Sequence, residues 1–140
     1  MISTVAVGTD GSATADQAVK QAAEIARRFD AKLVLLSAFR DSRAGVDEGE
    51  DIERQWAWNS SARVQAILEH LEAELRESGL ECETLSDDGD AADVLVRLAE
   101  ECGADLLVIG NKGMKRRVLG SVPNTVTHKA SCSVMVVKTT

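Results

Sequence analysis

Apolar residues along the chain fall into two alternating textures: short unbroken runs, and stripes spaced three or four apart. The runs lie at 4–8 (TVAVG), 32–39 (KLVLLSAF), 81–86 (ECETLS), 105–110 (DLLVIG) and 133–138 (SVMVVK), and they predict five strands. Near-continuous Val, Leu and Ile is the pattern of parallel strands covered on both faces. Between the runs, helical stripes pass through Ala15, Ala18, Val19, Ala22, Ile25, Ala26 and Phe29, then Val64, Ile67, Leu68, Leu71 and Leu75, then Ala92, Leu95, Val96, Ala99 and Cys102. Ser12 or Thr14 can cap the first helix, Thr14 having Gln17 at the capping-box offset, and Gly79 and Gly103 stand where helices end. Strand and helix alternate throughout, which predicts an α/β fold of right-handed βαβ units, an open parallel sheet with helices on both faces. Ligands in such sheets bind beyond the carboxyl ends of the strands where strand order reverses, and here the first and fourth strands flank that crevice.

One segment breaks the rhythm. Residues 41–51 (DSRAGVDEGED) carry five acids, two glycines and no periodicity directly after the second strand, and are expected to form a loop or lid at the binding end. Trp56 and Trp58 follow it and are expected to pack within a helix.

Composition narrows the function. A chain of 140 residues suits one domain, 1–140, and 44% hydrophobic with 28% charged residues fits a globular protein. The apolar runs are too short to span a membrane and MISTVAVGTD lacks a signal-peptide pattern, so cytoplasmic residence is expected. Cys82, Cys102 and Cys132 form no C-x-x-C pair and are expected as buried thiols. The net charge of −7 and the scarcity of aromatics argue against nucleic-acid binding, which needs a broad basic surface or stacking platforms.

Against that acidic background, residues 110–124 (GNKGMKRRVLGSVPN) gather Lys112, Lys115, Arg116 and Arg117 among Gly110, Gly113 and Gly120. The stretch leaves the fourth strand and enters a helix. Glycines allow close approach of backbone to an anion, and the first N–H groups of a helix point at it unpartnered. Ser121 adds a cap and a hydroxyl, and Pro123 is tolerated in the first turn. A phosphate cradle is the reading favoured over a plain turn. Asp10, closing the first strand in VGTDGS, reads equally as a turn residue or as a carboxylate that accepts from a ribose hydroxyl or helps hold a phosphate-bound Mg2+. Walker A, G-x-G-x-x-G, G-x-S-x-G and H-E-x-x-H patterns are missing from the sequence, and His70 and His128 lie within helical segments without partnered cysteine or carboxylate sets. No base is obviously placed to activate water, so at most a slow ATPase is expected.

With these residues in view, the chain resembles the universal stress protein family over nearly its whole length. ATP-binding members carry G-x2-G-x9-G-[ST] after the fourth strand; Gly110, Gly113, Gly120 and Ser121 match the fixed residues, with three fewer residues between the second and third glycines. The resemblance implies a Rossmann-like, adenine-nucleotide alpha-hydrolase-like sheet of order 3-2-1-4-5 and binding of ATP or another adenine nucleotide. It also implies that Gly8, Thr9 and Asp10 line the base and ribose side, that Ala38 offers its backbone to adenine and that Ile109 contacts the nucleoside. Gly110 and Gly113 approach ribose and phosphates, while Gly120, Ser121 and Val122 donate at the helix start. Family members are typically dimers, and the apolar last strand, from Ser133 to Lys138, is an edge that pairing with a second copy would cover. The implied role is a nucleotide-dependent stress-response regulator. Alternatives are a member that binds AMP or cAMP, one that binds no nucleotide and acts as an interaction module, and, outside the family, a response-regulator receiver with Asp87 or Asp88 as acceptor.

Overall fold

A computed structural model of the chain describes residues 1–41, 60–111 and 121–139. The elements, in chain order, are β1 (Thr4–Gly8), α1 (Ala13–Phe29), β2 (Lys32–Phe39), α2 (Ser61–Glu77), β3 (Cys82–Asp88), α3 (Ala91–Glu101), β4 (Leu106–Gly110), α4 (Ser121–Lys129) and β5 (Ser133–Val137). All pairings are parallel, in the order β3-β2-β1-β4-β5. That is the order expected of the family resemblance, and it differs from the 2-1-3-4-5 order of a receiver. The expected loop or lid at 41–51, apart from Asp41, and Trp56 and Trp58 lie outside the described residues.

Each central strand divides its side chains between two cores. Val5 and Val7 of β1, Leu33 and Leu35 of β2 and Val108 of β4 pack beneath α1 and α2 with Ala18, Ala22, Val64 and Leu68. Ala6, Val34, Leu36, Leu107 and Ile109 face the other way, onto Leu95, Leu98 and Ala99 of α3 and Val126 of α4. Burial on both faces is why these strands read as unbroken apolar runs. Each fully buried Leu or Val contributes roughly 1.5–3 kcal/mol, so the central strands carry most of the stability.

Local chemistry sets the helix ends. Ser12 caps α1 by accepting from the Ala15 N–H at 3.1 Å, so Thr14 sits inside the helix and the alternative box with Gln17 does not form. Ser60 and Asp90 cap α2 and α3 in the same way. Gly79 and Gly103 follow α2 and α3 with φ of +96° and +68°, as expected. The end of α1 is different: Asp30 takes the left-handed conformation at φ 54°, and its N–H bonds back to the helix carbonyls. Phe29, counted in the apolar stripe, is the last residue of α1 and is 54% exposed, whereas Ala26 one turn earlier is fully buried. Of the cysteines only Cys82 is buried, its thiol pushed up to about 11 chiefly by burial; Cys102 and Cys132 are half-buried, and burial raises both.

Candidate functional site

The carboxyl end of β1 is a tightly tied turn. The Thr9 N–H donates to Leu36 O at 2.9 Å, and the buried Ser37 hydroxyl donates to Thr9 O at 2.7 Å, fixing the turn to β2. Thr9 Oγ1 then accepts from the Gly11 N–H, and Asp10 Oδ1 accepts from the Ser12 N–H at 2.9 Å. This Asx turn holds the Asp10 carboxylate, 7% exposed, beside the first turn of α1. The amino end of a 17-residue helix carries partial positive charge, which favours an anion nearby.

Beyond these ends lies a cleft lined by Gly8, Asp10, Thr14 and Ala15 on one side and Ile109, Gly110, Val122 and Pro123 on the other, with Leu95 and Thr139 completing the wall. Between its walls lies about 450 Å3 of space, open solvent at the mouth included. Its floor depends on Gly8: a Cβ there would stand 3.0 and 3.1 Å from the two methyls of Leu95. Asp10 is the sole titratable side chain among the described residues of the wall.

The structure therefore gathers Gly8, Asp10, Ile109, Gly110 and Val122 at one cleft, between the first and fourth strands as the pattern predicts. Thr9 faces a second recess on the opposite side of β1, shared with Ile67, His70 and Leu71 of α2. Ala38 is buried one strand away in β2 and is not part of the cleft wall. Ser121 is the first residue of α4, helical rather than preceding the helix, and its side chain is exposed. Gly113, Lys115, Arg116, Arg117 and Gly120, with Lys112, lie outside the described residues.

Sequence reading missed Thr14, Ala15, Leu95, Pro123 and Thr139 as wall residues. Thr14 and Ala15 had a signal, since they follow the capped turn after Asp10. Among described residues no group of three or more His, Cys, Asp or Glu could hold a metal ion. Asp10 fits Mg2+ only in the manner usual for that ion, as one carboxylate sharing it with phosphate oxygens. Asp87, the receiver-like acid, is instead ion-paired with Arg97 at 2.6 Å on the edge strand, and hydrogen bonds from the Asp88 N–H and from Arg97 hold its carboxyl below the ordinary value.

The sequence profile described as the universal stress protein family matches residues 1–138. A universal stress protein of Mycobacterium tuberculosis H37Rv is 39% identical, over 98% of this chain and 97% of its own. One from Methanocaldococcus jannaschii is 30% identical, over 96% of this chain and 81% of its own. Among solved structures, a universal stress protein in complex with cAMP superposes with a TM-score of 0.77 at 34% identity, covering 99% of both chains. A family protein from Arabidopsis thaliana with AMP bound gives 0.72 at 25% identity, over 99% of this chain and 92% of its own. By sequence, strand order and shape alike, the chain belongs to the universal stress protein family.

Proposed function

We propose that the protein binds an adenine nucleotide in the β1–β4 cleft and acts as a nucleotide-dependent stress-response regulator, reporting or buffering nucleotide rather than turning it over rapidly. The observation that carries this reading is the cleft itself. An apolar floor of Leu95, Ile109 and Val122 suits a planar base, and the Asp10 carboxylate suits ribose hydroxyls. The sequence places the cationic glycine stretch immediately after Gly110, where a phosphate tail would leave the cleft. Asp10 can also share a Mg2+ ion with the phosphates. The working unit is a homodimer paired through β5, acting in the cytoplasm without membrane or nucleic-acid partners; among the described residues no helix is long and apolar enough to cross a membrane.

A second reading is favoured by one feature. The interval between Gly113 and Gly120 holds six residues, three fewer than in the ATP-binding pattern, which suits a ligand with a shorter tail. Relatives solved with cAMP and with AMP carry ligands of that kind. Calorimetry on ligand-stripped protein with ATP and Mg2+, AMP and cAMP separates the two. Tighter binding of ATP supports the cradle reading, and binding restricted to the monophosphates supports the second. In either case Ser121→Ala combined with Arg116→Glu weakens binding about tenfold or more, the scale of losing charge-assisted hydrogen bonds. Unchanged affinity in that double variant would remove the glycine stretch from the account.

A further inference from the structure

One hydrogen bond behind the cleft wall lies a polar group that the chain does not satisfy. Asn111, the residue after β4, is 1% exposed. Its N–H donates to Val137 O at 3.0 Å, adding a rung to the β4–β5 ladder. Its side-chain oxygen receives two hydrogen bonds from Thr139, from the backbone N–H at 2.8 Å and from the hydroxyl at 2.7 Å. The backbone N–H can only donate, so the carboxamide atom it meets must be the oxygen; this fixes which end of the amide is which. The opposite end is therefore the NH2 group, and Nδ2 is buried with no hydrogen-bond partner.

A buried donor without an acceptor costs roughly 1–3 kcal/mol, and native structures retain few of them. Position says what acceptor belongs here. Thr139, which grips the amide oxygen, is itself part of the cleft wall, and its methyl lies over Gly110, 3.5 Å from where a Cβ would be. The amide nitrogen is bonded to the same carbon as that oxygen, so it lies close to the Thr139 part of the wall, although Asn111 itself does not line the cleft. The next residue in sequence is Lys112, and Lys115, Arg116 and Arg117 follow within the same stretch. The acceptor that a nucleotide brings to the Gly110 end is a phosphate oxygen, which suits an unpartnered N–H donor.

We propose that Asn111 reads the phosphate of the bound nucleotide, its Nδ2–H donating to a phosphate oxygen, and that Thr139 is a positioning residue that holds the amide with its donor end free for that purpose. The C-terminal tail thereby becomes part of the ligand site. This assignment rests on the nucleotide-binding reading above and adds to it the residue that distinguishes a nucleotide from its nucleoside.

The test compares adenosine with AMP by calorimetry on the full chain and on Asn111→Asp, Thr139→Val and Thr139→Ser. Asn111→Asp keeps an oxygen for Thr139 and replaces the donor with an acceptor. It is expected to bind AMP about tenfold or more weakly, the loss of a hydrogen bond to a charged group, with adenosine affinity within about twofold of the parent. Thr139→Val, which loses one of the two donors to the amide, loses several-fold more in AMP affinity than in adenosine affinity, and Thr139→Ser restores it. Should Asn111→Asp fail to fold by circular dichroism, the Val and Ser pair decides. AMP affinity unchanged in the folded variants overturns this inference and leaves nucleotide binding intact. Equal losses for adenosine and AMP overturn it too, because the amide then serves the nucleoside or the fold. A parent protein that binds neither compound sinks the underlying reading along with it.

Discussion

Gly11 shows how much a single missing side chain can decide. Its φ of +79° is a conformation that residues with a Cβ adopt only at a cost, and a Cβ built there would stand 2.7 Å from the Cδ1 of Ile67 on α2. Both penalties fall on one substitution. Gly11→Ala is expected to lower stability by roughly 1–3 kcal/mol, more than backbone strain alone, because Ile67 must also move. Urea unfolding measures it, and an unchanged midpoint would show that the turn relaxes freely. The sequence VGTDGS announced a turn, since Asp and Gly dominate such positions, but it held no sign of Ile67, which approaches from a segment more than fifty residues away. The same boundary applies at Asp30: a left-handed helix end without glycine is permitted to Asp, yet nothing local distinguishes that Asp from an ordinary surface acid.

At the scale of elements, the amino ends of β1 and β4 are joined by Asp105, just before β4. Its Oδ2 accepts from the Ser3 N–H at 2.9 Å, the Ser3 hydroxyl at 3.1 Å and the Thr4 N–H at 3.0 Å. Hydrogen bonds from those backbone N–H groups, Ser3 first, hold the carboxyl below its ordinary value of 3.8. A carboxylate with a lowered folded-state pKa adds stability that is present in full above the unfolded value and is lost as pH falls through the folded one. Asp105→Asn is therefore expected to melt below the parent at pH 7, with the gap closing as both are acidified well below pH 3.8. A gap of constant size through the acid range would show that charge plays no part. Strand positions themselves were legible because burial on two faces leaves unbroken apolar runs. The exception is β3, expected at 81–86 and observed at Cys82–Asp88. Its last residues are polar and partly exposed, and pairing with β2 as far as Phe39 opposite Asp88 keeps them extended, a contact to which the local pattern is blind.

At the scale of the molecule, the cleft is assembled from segments that meet only once the sheet is ordered. Of those at strand ends, Asp10 and Gly110 could be read from the sequence because strand alternation puts them at one rim, while Gly8 and Ile109 came with the family resemblance. Leu95 and Thr139 could not: one arrives by helix packing and the other by the register that sets Gly110 beside Val137. That register also exposes the remaining edge. In β5 the Val137 carbonyl faces β4, where it accepts from Asn111, so by alternation Val134 and Val136 turn their N–H and C=O groups outward. Val134 and Val136 are half-buried and Met135 is 37% exposed, which makes this an apolar edge with open backbone groups, and pairing with the same strand of a second copy across a two-fold axis would cover it. Val136→Pro deletes one outward donor while keeping an apolar side chain and leaving the inward ladder whole. Sedimentation at micromolar concentration is expected to give twice the chain mass for the parent and a single chain for the variant, with near-native circular dichroism in both. A parent that sediments as one chain, or a variant that still pairs, would locate the contact elsewhere or abolish it.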